Sequence, residues 1–223
     1  FIQELRQLGY LPEAVVSWTA LMGWAYDDHT EFFKIPDLVE KFSLDHLNPS
    51  PAAINFTKFD HFNGLHIRSL TDEDLASRIE PFFTAAGIKT DKETLLKITP
   101  LIKERLGTLE DAVSMAGFFF NDQVIPSHDD LIAKGLTAEQ SADAAESVYQ
   151  LLSSYSTIDL NVVEPPMRDL AEKLNLSVGQ LFGIVRDAVT GQKVSPPLFE
   201  SMEIIGREVV LQRIKTAISI LRQ

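Results

Sequence analysis

The sequence predicts an all-α protein, and three observations support this prediction. Apolar residues recur at intervals of three and four along most of the 223-residue chain, which is the spacing of one helix face. Thr or Asn, which favour helix starts, precede these periodic segments, and Gly, which favours helix ends, follows them. Few segments show the strict alternation of a half-buried strand. We therefore expect roughly ten helices joined by short loops, as in helical bundles.

The first seventy residues contain three predicted helices, each of which starts at a residue that favours a first helical turn. Proline is tolerated there, and asparagine caps the turn with its side chain. Proline also excludes helix from the residue before it, so the LNPSP run at residues 47–51 is predicted to be irregular. The predicted helices are residues 12–23, 35–42 and 55–68.

The next segment, residues 71–128, shows a second group of helix signals. Thr71 followed by Asp74 resembles a capping box with Asp in place of Glu, and Gly87 ends the apolar periodicity that follows. The predicted helices are residues 71–87, 91–107 with an interruption near Pro100, and 108–120. Residues 121–128 lack periodicity and contain Pro126, so they are predicted to form a linker.

The last part of the chain opens with Thr137 and Gln140, which together form a capping box. Pro165 is placed at a helix start, and Gly191 is placed after a helix end. The predicted helices are residues 137–154, 165–174, 178–190, 197–205 and 207–221.

Composition excludes several classes of protein. No run of 18 apolar residues is present, so the sequence predicts no membrane span. The chain has no cysteine and therefore no disulfide framework or thiolate site, which suits a cytoplasmic protein. It opens within a helix-like pattern without a Met or a signal peptide, and we expect it to be a fragment.

The net charge of −12 argues against a nucleic-acid partner, because phosphate neutralisation needs Lys and Arg. The charge is unevenly distributed, however. Residues 161–223 hold 8 basic and 7 acidic residues, whereas residues 121–160 hold 1 and 7. Only the last third of the chain is therefore expected to offer a positive face.

The sequence predicts neither a metal site nor a catalytic residue. The five histidines form no i, i+4 pair of the kind that binds zinc on a helix. The chain also lacks a G-x-S-x-G nucleophile turn and both common glycine-rich phosphate loops. Two arginines, Arg168 and Arg186, are more informative because they lie near adjacent predicted helices, and the Ser195-Pro196-Pro197 turn follows Arg186 closely. An arginine fork beside such a turn can reach the edge of an unstacked base, although solvated surface arginines are the commoner case.

Three motifs then carry a resemblance to a family. Residues 8–33, LGYLPEAVVSWTALMGWAYDDHTEFF, resemble the segment that follows the KMSKS-type loop of bacterial glutamyl-tRNA synthetases. Residues 55–68 and 186–199 resemble that family's F-x-x-x-K-L-x-W-x-N-G-x-Y-I-R and R-x-x-x-T-G-x-x-x-[ST]-P-x-L-F segments. His61 stands where the family usually has Trp, and His66 stands where it usually has Tyr.

The resemblance implies a C-terminal fragment of a class I aminoacyl-tRNA synthetase. It implies the end of a stem-contact domain at residues 1–70 and two helical anticodon-binding subdomains at residues 71–128 and 129–223. The parent enzyme would use ATP and Mg²⁺ to attach glutamate to tRNA-Glu, whereas this chain would bind no cofactor and be inactive alone. The implied partner is tRNA, with no DNA or membrane partner, and the implied parent is a monomer.

The resemblance also assigns roles to individual residues. Arg105 matches the arginine that reads the third anticodon base and marks forms restricted to tRNA-Glu rather than tRNA-Gln. Arg168 and Arg186 match arginines at the first anticodon base. The turn around the first two bases matches Ser195, Pro196 and Leu198. Other tRNA contacts, nearer the stem, match Lys58, His61 and Arg68.

Two alternatives stay open at this point. The helical anticodon domain of a class I lysyl-tRNA synthetase resembles this fold, although the L-G-Y-L-P-E-A and T-G…S-P-P-L-F segments favour the glutamyl family. An all-helical protein–protein adaptor would suit the acidic charge and the missing catalytic motifs. Salt-dependent binding to an anticodon-loop RNA separates a tRNA-binding domain from an adaptor.

Overall fold

The computed structural model describes residues 2–47, 55–121 and 123–223, and its helices confirm the predicted all-α fold. Thirteen α-helices and three short 3-10 turns lie within these ranges. The described residues form no strand, although an isolated antiparallel bridge joins Trp24 and Leu47. Residues 48–51 of the run predicted to be irregular lie outside the described residues.

The chain divides into two compact units, the first of which spans Phe1–Ser114. Its helices are α1 (Ile2–Gln7), α2 (Pro12–Leu21), α3 (Ile35–Lys41), α4 (Phe56–Arg68), α5 (Asp72–Ala85), α6 (Lys92–Ile102) and most of α7 (Asp111–Ala116). Aromatic side chains join α2 to α4, where Trp18 stacks on Phe59 at 5.4 Å and meets Phe62 edge-on at 5.1 Å. Helix α5 packs against α6 through buried Leu, Ile and Phe side chains.

The second unit spans Met115–Gln223 and is built around one core. Its helices are α8 (His128–Leu131), α9 (Ala138–Ser153), α10 (Leu160–Lys173), α11 (Val178–Thr190), α12 (Leu198–Ile205) and α13 (Arg207–Leu221). Helix α13 packs along α9, and small Ala side chains on α9 allow the two helices to approach closely. A continuous apolar core from all six helices results.

A buried arginine on α13 ties the start of this unit to its core. Arg213 is 2% exposed, and its Nη1 donates to the carbonyl of Val189 at 2.7 Å. Its Nη2 donates to the carbonyls of Phe118 at 2.8 Å and Asn121 at 2.6 Å. Because hydrogen bonds from a charged donor are the stronger kind, we infer that this arginine fixes residues 118–121 against α11 and α13.

The predicted helix caps are found in the structure. Thr71 accepts a hydrogen bond from Asp74 N at 3.2 Å, and Thr137 forms the complete capping box with Gln140. A second complete capping box, between Ser177 and Gln180, starts α11 and was not predicted. Ser or Thr followed three residues later by Gln is therefore an informative signal in this chain.

Two proline predictions were wrong. Helix α10 begins at Leu160 rather than at Pro165, because the side chain of Asp159 caps it by accepting from Asn161 N at 2.9 Å. Helix α6 continues through Pro100 to Ile102 instead of being interrupted there. In both helices the packed apolar face outweighs the local cost of a missing N–H.

Candidate nucleic-acid interface

Arg105 lies at the end of a 3-10 turn, Lys103–Arg105, that leaves its side chain exposed. Hydrogen bonds hold this turn on both sides. At the first residue of the turn, Lys103 Nζ donates to Asp72 Oδ1 at 3.0 Å. Two residues after the turn, Gly107 N donates to Asp111 Oδ2 at 3.0 Å. An exposed arginine on a firmly held turn is suited to contact a ligand from a defined direction.

Asn63 is the buried residue that joins this turn to the rest of the first unit. Its Nδ2 donates to the carbonyl of Gly107 at 2.6 Å, and its Oδ1 accepts from Leu11 N at 2.8 Å. A Cβ on Gly64, the next residue, would lie 3.1 Å from the carbonyl oxygen of Leu106. The Asn-Gly pair within the second motif is therefore a packing and positioning element, a role that the sequence analysis missed.

The three candidate residues on α4, proposed to contact tRNA nearer the stem, have different surroundings. Lys58 is exposed and forms an ion pair with Glu31 at 2.8 Å. His61 is also exposed, and Arg68 is half-buried. Each of these three side chains can therefore reach solvent.

The two histidine departures from the family pattern are not equivalent. His61 is exposed, whereas His66 is only 3% exposed and packs against Phe32 with 4.7 Å between ring centroids. Burial lowers the pKa of His66 below its usual value, so the neutral imidazole is favoured. Only the His61 change lies on a surface that RNA can reach.

Arg168 lies on α10 and is held by two neighbours. Its Nε and Nη2 donate to Glu164 Oε1 at 2.9 and 2.6 Å, and its guanidinium lies 5.4 Å from the centroid of the Phe182 ring on α11. The Phe182 ring in turn meets Phe199 edge-on at 5.1 Å. Ion pairing and the aromatic face together fix the plane of an otherwise flexible fork.

Arg186 and the Ser195 turn are close in sequence but differ in accessibility. Arg186 is half-buried in the last turns of α11, which ends at Gly191 with a left-handed φ of 68°. Ser195 and Leu198 are only 6% and 4% exposed, and Pro196 is buried as well. These three residues of the turn are therefore packed in the protein interior.

Asp187 follows Arg186 and was not singled out by the sequence. It is 7% exposed, and burial, followed by the negative charge of Asp130, raises its pKa to about 6. Arg186 and Asp187 both line an open cavity of about 530 Å³ beside α11. A strongly shifted acid in a cavity is a signal of function that only the structure provides.

The described ranges contain neither a metal-binding cluster nor a membrane-spanning helix. In residues 2–47, 55–121 and 123–223, His, Asp and Glu do not gather in threes as a metal ion would require. Among the helices in the same ranges, none combines the length and the apolar character needed to cross a membrane.

Sequence comparison shows similarity to an anticodon-binding family and to tRNA ligases. The sequence profile described as "Anticodon binding domain" matches residues 74–218. A glutamate–tRNA ligase of Dehalococcoides mccartyi (strain ATCC BAA-2266) is 40% identical over 221 residues, which cover 97% of this chain and 46% of that protein. The enzyme of the same name from Chloroflexus aurantiacus is 38% identical over 229 residues, which cover 98% and 45%. The chain thus spans somewhat less than half the length of these curated relatives.

Comparison with solved structures identifies two proteins that contain the fold of this chain. A glutamate tRNA ligase from Elizabethkingia meningosepticum, solved in complex with its amino acid, matches with a TM-score of 0.83 at 24% identity. The match covers 96% of this chain and 42% of that one. Glutamate-tRNA synthetase from Elizabethkingia anophelis matches with a TM-score of 0.79 and the same coverage.

Proposed function

The chain belongs to the anticodon-binding domain family, and on that premise we propose that it is the tRNA-recognition region of a glutamate–tRNA ligase. The observation that carries the proposal is the 40% identity to a curated glutamate–tRNA ligase along 97% of the chain. Neither the lysyl nor the adaptor alternative is favoured by a comparable observation.

The proposed reading surface consists of exposed or partly exposed arginines. Arg105 would read the third anticodon base, and Arg168 and Arg186 would contact the first. Ser195, Pro196 and Leu198 are buried, and we propose that their turn lies beside the first two bases. Anticodon bases are single-stranded, so guanidinium forks and backbone groups can reach their hydrogen-bonding edges. Lys58, His61 and Arg68 are proposed as contacts nearer the stem.

The remaining parts of the proposal concern the parent enzyme. ATP and Mg²⁺ would activate glutamate there, and tRNA-Glu would be the partner. The described residues lack a cluster that fits Mg²⁺, so no step of that chemistry is assigned to this chain. We also propose a cytoplasmic location, a monomeric parent, and a division into residues 1–70, 71–128 and 129–223.

Binding of an anticodon stem-loop RNA to the 223-residue chain tests this function. Because binding releases counterions from phosphates, we expect the logarithm of the binding constant to fall linearly with the logarithm of salt concentration. A hairpin with the same stem and a scrambled loop is the control, and it should bind more weakly. Equal affinity for both hairpins, or an absence of salt-dependent binding, would contradict the proposal.

A further inference from the structure

One face of α11 carries glycines at two successive turns and therefore borders unfilled space. Gly179, Gly183 and Asp187 are spaced four residues apart, so they lie along the same face. A Cβ on Gly183 would have no neighbouring atom within 4 Å, and a Cβ on Gly179 would meet only Ser177 Oγ at 4.0 Å. The glycines therefore leave a shallow trough in the wall of the 530 Å³ cavity, and this trough leads to Asp187.

At the end of the trough, two polar atoms have unmet hydrogen-bonding capacity. Asp187 Oδ1 and Arg186 Nε are both buried, and neither has a hydrogen-bond partner in the part of the chain that the structure describes. The first is an acceptor and the second is a donor. Burying such groups without partners is unfavourable, so their retention in two residues that line the cavity points to a ligand with the complementary pair.

None of the charged groups around Asp187 is hydrogen-bonded to its Oδ1 in the part of the chain that the structure describes. The groups that act on it come from its own helix, from α8 and from the loop after α11, and are Arg186, Asp130 and Lys193. Lys193 Nζ is already engaged by Asp130 at 2.6 Å. Asp187 also lies in the last turn of α11, where the helix dipole disfavours a negative charge. A carboxylate at this position thus lowers stability unless a ligand compensates for it.

We propose that Asp187 is a specificity-determining residue for the bound RNA: its carboxylate accepts an N–H from an unpaired nucleobase lodged in this cavity. The Arg186 guanidinium donates to an acceptor on the edge of the same base. The inference rests on the proposed function and adds a carboxylate to the arginine contacts given above. Each nucleobase edge presents a distinct order of donors and acceptors, so a fixed acceptor beside a fixed donor discriminates among bases.

The test uses the 223-residue chain and four anticodon hairpins that differ only at the first anticodon base. Wild type should bind the four with different affinities. Asp187→Asn keeps the shape but replaces an acceptor with a donor on one side, and Asp187→Ala removes both. We expect either variant to change the ratio between the best and worst base by roughly tenfold. Asp143→Asn, at an exposed aspartate on α9, is the matched control and should preserve the ratio.

A second variant tests occupancy of the trough. Gly183→Leu fills space that no other atom uses, so far-UV circular dichroism and the melting temperature should be retained. All four hairpins should then bind roughly tenfold more weakly or worse, while Gln150→Leu on the exposed face of α9 should leave binding unchanged.

The outcomes separate this inference from the function on which it rests. If the wild-type chain binds none of the hairpins, both proposals are wrong. If it binds them with salt dependence but the Asp187 variants keep the wild-type ranking of bases, only this inference is overturned. Full binding by Gly183→Leu would also overturn it, because a base could not then occupy the trough.

Discussion

Two buried titratable residues make stability depend on pH in opposite directions. His66 has a lowered pKa, so the unfolded chain takes up its proton first and stability falls as the pH drops below about 6.5. Asp187 has a pKa raised from 3.8 to about 6, so the folded chain holds its proton more tightly. Its contribution to stability is therefore present below about pH 4 and is lost as the pH rises towards 6.

Asp187→Asn should stabilise the chain at neutral pH. The substitution removes the cost of ionising a buried carboxyl, and the pKa shift converts to an upper limit of about 3 kcal/mol. Partial solvation of the cavity reduces the expected gain to about 1–2 kcal/mol. Urea unfolding between pH 4 and 7 checks this: the difference between variant and wild type should be small at pH 4 and grow with pH. A difference that stays constant across this range would contradict the shifted pKa.

Arg105→Gln should weaken discrimination in the full-length enzyme. Glutamine keeps a donor but loses the charge and the planar fork, so the preference for tRNA-Glu over tRNA-Gln should fall by roughly 1–3 kcal/mol. The measurement is kcat/KM for both tRNAs, with Arg6→Gln, at another exposed arginine of the first unit, as control. An unchanged ratio with a lower melting temperature would leave Arg105 only a structural role.

At the scale of elements, capping side chains predicted helix starts more reliably than prolines did. Thr71 and Thr137 were recognised because their side chains bond to the backbone a few residues away, which is visible in the sequence. Pro165 was misread as a helix start because the Asp159 cap before it was overlooked. Pro100 was misread because the packing of α6 depends on residues distant in sequence. The same limit explains why Asp187 was missed, since its burial and its unpaired Oδ1 exist only in the folded chain.

Asn63→Ala should destabilise the segment that presents Arg105. The side chain is fully buried and bonds to Leu11 N and to the carbonyl of Gly107, so its removal leaves two buried groups unsatisfied. The expected loss in the free energy of unfolding is about 2–4 kcal/mol. Chemical denaturation measures it, and Gln150→Ala, on an exposed surface of α9, should cost under about 0.5 kcal/mol. A loss no larger than that of the control would show that these bonds do not hold the turn.

At the scale of the whole molecule, the chain is acidic while its proposed reading residues are arginines. The net charge of −12 opposes unspecific attraction to phosphate, and residues 161–223 are nearly balanced in charge. Affinity would then depend on a few placed guanidinium groups rather than on a general positive field. The all-α class was predictable from periodicity, but the division into Phe1–Ser114 and Met115–Gln223 depends on contacts that periodicity does not reveal.

The start of the last subdomain is open to a direct test through Arg213. The proposed start at residue 129 removes the carbonyls of Phe118 and Asn121 from this buried guanidinium, whereas a start at residue 115 keeps them. A fragment of residues 115–223 should therefore unfold cooperatively and be more stable than a fragment of residues 129–223. The expected difference is about 2–4 kcal/mol, because two charged hydrogen bonds are lost.

A matched substitution shows whether Arg213 causes that difference. Arg213→Met removes the donors from both fragments, so most of the stability difference between them should disappear in this background. Arg222→Met serves as control, since Arg222 is exposed and its contact with Asp143 at 3.4 Å should contribute at most about 1 kcal/mol. If the 129–223 fragment is as stable as the 115–223 fragment with Arg213 in place, residues 115–128 contribute nothing to the free energy of unfolding of the subdomain. If the difference persists in the Arg213→Met background, packing of Phe118 rather than the buried guanidinium accounts for it.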